Sequence, residues 1–177
     1  MKELSLHLLD LVENSAAAGA THVDVTIEED PSADRLRISI ADDGRGMPPE
    51  MVRAAADPFT TTRTTRPVGM GLALLSGAAE QAGGRLTVES RQPGGTTVTA
   101  EFQLSSIDRA PLGQVEDTLV TVAVLHPDLA LRYRHVGPGG EYEVNLPLAG
   151  DRQSAAEVRS KIERLVREGL QRIGSTA

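Results

Sequence analysis

In the stretch Pro58-Phe59-Thr60-Thr61-Thr62-Arg63, hydroxyl and basic side chains follow one another. The chain then runs through Arg66 into Gly69-Met70-Gly71-Leu72-Ala73-Leu74, the start of an apolar helical pattern. Glycines at the mouth of a helix let backbone N–H groups approach an anion, and the helix dipole favours negative charge there. Arg63 and Arg66 in front of those glycines suit a basic flap over phosphates; a glycine-rich loop with no ligand fits the same letters. Gly-x-x-x-x-Gly-Lys-Ser/Thr does not occur, so a P-loop is excluded.

Two further groups stand upstream. Asp42-Asp43-Gly44-Arg45-Gly46 follows an alternating apolar run. A carboxylate there can accept a hydrogen bond from an exocyclic amine such as that of adenine, and the glycines let a base lie against backbone. An ordinary Asp/Gly turn is the plainer alternative, although Met47-Pro48-Pro49 turns toward a helix and does not continue a hairpin. Asn14 sits mid-helix, where asparagine is mildly unfavourable. Its carboxamide oxygen can hold a Mg²⁺ that bridges phosphates. Asp10, one turn earlier on the same face, can orient or deprotonate a water or hydroxyl. On this segment alone a solvated helix face is the plainer account of Asp10, Glu13 and Asn14. Gly95-Thr96-Thr97 offers a hydroxyl before the last alternating run, as a second polar contact to a base or as a plain turn.

The elements that must position these groups are legible in the apolar periodicity. Leu4, Leu8, Leu11, Val12 and Ser15 share one face of a helix over residues 3–18, stopped at Gly19. Val23, Val25 and Ile27, then Leu36, Ile38 and Ile40, alternate as two antiparallel strands about an Asp/Pro/Ser turn. Pro48-Pro49-Glu50 opens a short helix through Ala56, and residues 57–68 form a long loop of the functional kind. A helix over 71–82 is closed by Gly83-Gly84. Strands follow around Leu86 and Val88 and over Val98–Leu104. After a seam at residues 105–113, the runs 119–125, 129–136 and 142–146 read as three short strands. Val158, Ile162, Leu165, Val166, Leu170 and Ile173 trace an amphipathic helix. The class is α+β, with a mostly antiparallel sheet and helices on one face. The expected division is a first domain at 1–107 and a small α+β region at 108–177. About seventy residues are marginal as an independent fold, so the tail is expected to lean on the first domain or on a partner.

Composition narrows the classes. The 177 residues include two Phe, two Tyr and no Trp, so the core must be aliphatic. Net charge is −7, with Lys2 and Lys161 as the only lysines and no basic block, which argues against nucleic-acid or anionic-membrane surfaces. Without cysteine there is no disulfide, thiolate zinc or iron–sulfur ligation. His7, His22, His126 and His135 lack metal-ligand spacing, and Ser15 and Ser76 have no histidine partner at hydrolase spacing. No run reaches the ~20 apolar residues of a membrane helix, and Glu3, His7 and Asp10 interrupt any signal-peptide h-region. A soluble, cytoplasmic protein is expected.

The four groups in order, Asp10-x-x-x-Asn14, Asp42-x-Gly44-x-Gly46, Phe59…Gly69-x-Gly71-Leu72 and Gly95-Thr96, resemble the GHKL ATP-binding superfamily over residues 3–105. That superfamily includes DNA gyrase, the large heat-shock chaperone, sensor histidine kinases and MutL. The resemblance implies a Bergerat-type two-layer α/β sandwich that binds ATP and Mg²⁺. It implies Asn14 as the Mg²⁺ ligand, Asp42 as partner of the adenine amine and Gly46 beside the base. Gly69 and Gly71 match the glycines that meet the phosphates at the end of a lid, and Thr96 matches the threonine of the last box. Gly44, Met47, Thr61, Arg63, Met70 and Leu72 complete the expected nucleotide site. Asp10 stands where hydrolytic and serine-kinase members carry a Glu, one methylene longer.

Leu9–Ala20 looks like MutL, whereas Asp57–Arg63 and the Gly-Met-Gly-Leu-Ala-Leu helix look like histidine kinases. No dimerising helix pair or phosphoacceptor histidine is expected, and the one lysine of the short tail, Lys161, lies on the terminal helix. The nearest likeness is to small stand-alone bacterial histidine-kinase-like ATP-binding proteins, some of which accompany redox-enzyme subunits. The expected function is an ATP/Mg²⁺-binding regulatory module whose lid orders on ATP and reports to a protein partner, with weak hydrolysis through Asp10. A serine/threonine kinase of the anti-sigma type and a nucleotide-free scaffold are the alternatives.

Overall fold

The computed structural model describes residues 3–56, 70–147 and 154–175. Its elements run α1 (Leu4–Ala17), β1 (His22–Asp30), β2 (Arg35–Asp42), α2 (Pro49–Ala56), α3 (Met70–Gln81), β3 (Arg85–Ser90), β4 (Thr96–Gln103), α4 (Val115–Leu125), β5 (Ala130–Gly137), β6 (Gly140–Leu146) and α5 (Ala155–Ile173). The expected loop at 57–68 lies outside the described residues.

One six-stranded sheet is ordered β3-β4-β2-β1-β5-β6. Every neighbouring pair is antiparallel except β1 and β5. The α+β, mostly antiparallel class expected from the periodicity is the class observed. Register explains why one face is apolar from edge to edge. Val88, Val98, Ile40, Val25, Tyr133 and Val144 are successive cross-strand partners, all buried. One residue along, Thr87, Thr99, Ser39, Thr26, Arg134 and Glu143 form a polar row on the opposite face. Because side chains alternate with period two, a slip of one residue would exchange the two rows.

Helices α1, α3 and α4 bring Leu4, Leu8, Leu11, Leu72, Leu75, Leu119 and Val122 onto the apolar face. Fully burying each such side chain is worth about 1.5–3 kcal/mol. Helix α1 has no side-chain cap; its first N–H groups are taken by the seam, Leu4 N–H by Pro111 O and Ser5 N–H by Leu112 O. Helix α5 starts on a Ser154/Glu157 capping box and ends at Gly174 in the left-handed conformation.

One expectation fails. Residues 119–125 are the second half of helix α4 and not a strand. The β-branched letters Val120, Thr121, Val122 and Val124 imitate a buried strand, but burial follows Val115, Thr118, Leu119 and Val122 at helical spacing. Glu116 and Asp117 in the first turn suit the helix dipole. The other two expected strands are β5 and β6, and β5 continues the sheet by pairing with β1.

Candidate functional site

At one end of the sheet, between it and the helices, lies a cavity of about 440 Å³, within the roughly 300–1,000 Å³ of small-molecule pockets. Asn14, Asp42, Gly46, Met47, Leu72 and Thr96, six of the residues singled out in sequence, share its wall. Gly44 and Asp10 do not line it. Gly71 packs against Asp10: a Cβ added at Gly71 would stand 3.2 Å from the Asp10 Cβ. The Asp10 side chain therefore sits beside the first turn of α3. Met70 opens that helix. Thr61, Arg63 and Gly69 lie outside the described residues.

Strand β2 delivers Asp42 in the phase of Leu36, Ile38 and Ile40, so its carboxylate points toward the helical layer at the open end of the core. Oδ1 accepts from Gly44 N–H (2.9 Å) and Thr96 N–H (3.2 Å), and Oδ2 accepts from the Ser15 hydroxyl (2.8 Å). Among the described residues both Oδ1 lone pairs are thus engaged, and one Oδ2 lone pair is left for a ligand. Asp43 points the other way. It binds Thr21 N–H and Oγ1, His22 N–H and the His22 ring. The Thr21 hydroxyl above all, with the His22 amide, holds the Asp43 carboxyl well below the usual carboxylate range.

Gly46 has φ +71°, and a Cβ there would lie 1.8 Å from Arg91 O. Only glycine allows the Gly46 and Arg91 backbones to pass so closely. Gly95, with φ +79°, meets the Asp42 carbonyl in the same manner, a Cβ standing 1.9 Å away. Two backbone crossings with no side chain between them form the floor beside Met47 and Thr96.

The sequence reading missed two residues. Ser15 counted as part of the apolar stripe of α1, yet its hydroxyl braces Asp42. Ser90, at the end of β3, binds Met47 N–H, Gly95 O and the Thr96 hydroxyl. A strand-end serine carries no signal of its own. A hydroxyl interrupting the apolar helix face at residue 15 could have been noticed.

Among the described residues no group of three or more His, Asp or Glu is placed to hold a metal ion. One carboxamide oxygen from Asn14 on the cavity wall fits the donor set of Mg²⁺, which takes one or two protein oxygens and completes its shell with phosphate and water. No described helix is long and apolar enough to cross a membrane.

Residues 2–106 match the family model described as histidine kinase-, DNA gyrase B-, and HSP90-like ATPase. The chain belongs to this family. Within the ATPase family, it is 34% identical over 111 residues to the sensor histidine kinase AruS of Pseudomonas aeruginosa, covering 59% of this chain and 11% of AruS. It is 29% identical over 106 residues to the sensor histidine kinase ZraS of Escherichia coli, covering 60% of this chain and 23% of ZraS. The chain thus spans less than a quarter of these relatives.

Solved structures reach further along the chain than these sequence relatives. The ATPase domain of Aquifex aeolicus MutL complexed with ADP superposes with a TM-score of 0.53 at 19% identity, covering 93% of this chain and 70% of that one. The N-terminal domain of a DNA repair protein gives 0.58 at 16% identity, covering 92% and 57%. At these identities the likeness is one of fold, and it includes the strands and helices after the seam.

Proposed function

We propose that this chain binds ATP with Mg²⁺ in the cavity between α1 and the end of β2, and that it serves as a nucleotide-dependent regulatory module. The observation that carries the reading is Asp42. Its carboxylate is fixed by three hydrogen bonds and keeps one acceptor site, on the wall that also holds Asn14. An exocyclic amine donates to that acceptor. The base lies on the Gly46–Met47 floor against Leu72 and Thr96, with Gly44 bracing Asp42 through its N–H. Asn14, Met70 and Gly71 at the start of α3 would face the triphosphate, and Mg²⁺ held by Asn14 would offset phosphate charge. Thr61, Arg63 and Gly69, outside the described residues, are read as further contacts to the nucleotide.

The division of labour follows the chain: residues 1–107 hold the nucleotide and 108–177 relay its state to a protein partner. In support, His126 at the end of α4 binds Glu13 at 2.9 Å, next to Asn14, and the Thr118 hydroxyl donates to Ser5 O on the same helix. A redox-enzyme subunit is one such partner. A thermal-shift series with ATP, ADP and GTP, each with and without Mg²⁺, tests the core of the reading. Selective stabilisation by adenine nucleotides is expected, since a ligand bound to the native state must raise the melting temperature. No shift with any nucleotide would favour a scaffold.

Transfer to a protein hydroxyl is the second reading, favoured by the placement of Asp10 beside Gly71. With labelled ATP, label on a partner supports kinase chemistry with Asp10 as base. Free phosphate supports hydrolysis, and retained ATP supports a binding module.

A further inference from the structure

The hydroxyl of Ser90 is the hub of the base floor. It lies 2.8 Å from Met47 N, 2.9 Å from Gly95 O and 2.9 Å from Thr96 Oγ1. A hydroxyl has one hydrogen to give and two lone pairs to fill. Met47 N–H can only donate and Gly95 O can only accept. If Ser90 gave its hydrogen to Thr96, two acceptor oxygens, Ser90 Oγ and Gly95 O, would face each other at 2.9 Å with no proton between them. Both short contacts are satisfied only when Ser90 donates to Gly95 O and Thr96 donates to Ser90. The Thr96 hydroxyl has then spent its hydrogen away from the cavity and presents lone pairs alone.

We propose that Ser90 is a positioning residue that sets the polarity of the Thr96 hydroxyl, so that Thr96 and Asp42 together meet a purine with acceptors only. This rests on the nucleotide reading given above. Thr96 and Asp42 are direct cross-strand partners. Their free lone pairs are two neighbouring acceptors, and an amino group with two N–H bonds is the complement of that pair. A 6-oxo purine presents an oxygen to the same place and meets lone pair against lone pair. Discrimination between the two bases thus depends in part on a serine that does not itself line this cavity.

The test uses the full 177-residue chain and calorimetric titration with ATP and with inosine triphosphate, its 6-oxo counterpart. Ser90→Ala releases the Thr96 hydrogen, which can then turn to a 6-oxo group. The affinity ratio of ATP to inosine triphosphate is expected to fall by about tenfold. Ser90→Thr, which keeps the hydroxyl, is expected to preserve the ratio. In a Thr96→Val background Ser90→Ala is expected to leave the ratio where it was, because Ser90 acts through Thr96. Should Ser90→Ala fail to fold, Ser90→Cys keeps the volume, accepts poorly and reads the same ratio. Equal weakening of both nucleotides would overturn the proposal and mark Ser90 as a scaffold residue only. So would a changed ratio persisting without the Thr96 hydroxyl. A wild-type chain that binds both nucleotides equally sinks this proposal and the pairing of Asp42 with the amine, but leaves nucleotide binding in the cavity standing; one that binds neither sinks the nucleotide reading as a whole.

Discussion

Replacing Asp42 by Asn isolates the interaction on which the proposed nucleotide selection depends. The amide cannot choose its orientation freely. Its oxygen must take the place of Oδ1, because Gly44 N–H and Thr96 N–H both point there. The NH₂ group therefore falls at the position of Oδ2. Ser15 tolerates this: its hydroxyl can donate to Leu11 O, 3.1 Å away, while accepting one amide hydrogen. The fold should survive, and the other amide hydrogen then faces the cavity.

An adenine amine at that point loses a hydrogen bond to a charged acceptor, worth about 1.5–3 kcal/mol, and meets a donor with its own donor, leaving groups unsatisfied at about 1–3 kcal/mol more. A loss of roughly 3–5 kcal/mol is at least a hundredfold in Kd, at about 1.4 kcal/mol per factor of ten. Calorimetric titration with ATP measures it, and denaturant unfolding of the same variant verifies that stability is retained. The 6-oxo analogue should lose less than ATP, because the new N–H can meet its oxygen. Unchanged ATP affinity in a folded Asp42→Asn protein would refute the assignment of Asp42 and the cavity together.

The remaining expectations are narrower. Gly46→Ala places a methyl 1.8 Å from Arg91 O at φ +71°, so the floor must shift; the stabilisation by ATP in a thermal-shift assay should vanish. His135→Ala should cost about 2–5 kcal/mol in denaturant unfolding, since it deletes a fully buried ring and takes one hydrogen-bond partner from the buried Glu29 carboxyl 2.8 Å away, while the one from Ser175 remains. The depressed carboxyl of Asp43 contributes stability that is fully present above its unfolded value and is lost as pH falls through the folded one. Asp43→Asn should accordingly flatten the decline of melting temperature between about pH 5 and pH 2. Glu13→Ala, which breaks a half-buried pair with His126, should change stability by about 1 kcal/mol. If α4 relays nucleotide state, it should alter partner response without altering ATP affinity.

What the sequence by itself determined is the material that local periodicity and glycine chemistry can encode. Alternation placed β1, β2 and β4 with their apolar faces in phase. Helical spacing placed Asn14 one turn beyond Asp10, and paired glycines marked Gly46 and Gly71 as points of close approach. These signals are short-range, so they survive in the order of letters. The run at 119–125 shows the limit: β-branched residues satisfied a strand pattern within that window, and helical burial became visible only once Val115 and Thr118 met the core.

The sequence already singled out Asp42, and tertiary structure decided what braces it and where its neighbour Asp43 turns. Asp42 continues the buried phase of β2, whereas Asp43 is drawn by the Thr21 and His22 amides toward the start of β1. It likewise decided that Ser15, twenty-seven positions from Asp42, and Ser90, at the far end of another strand, brace the same floor. The physical reason is common to these cases. Hydrogen-bond partners in a sheet are set by register between strands distant in sequence, and register exists only when the whole apolar face is buried at once.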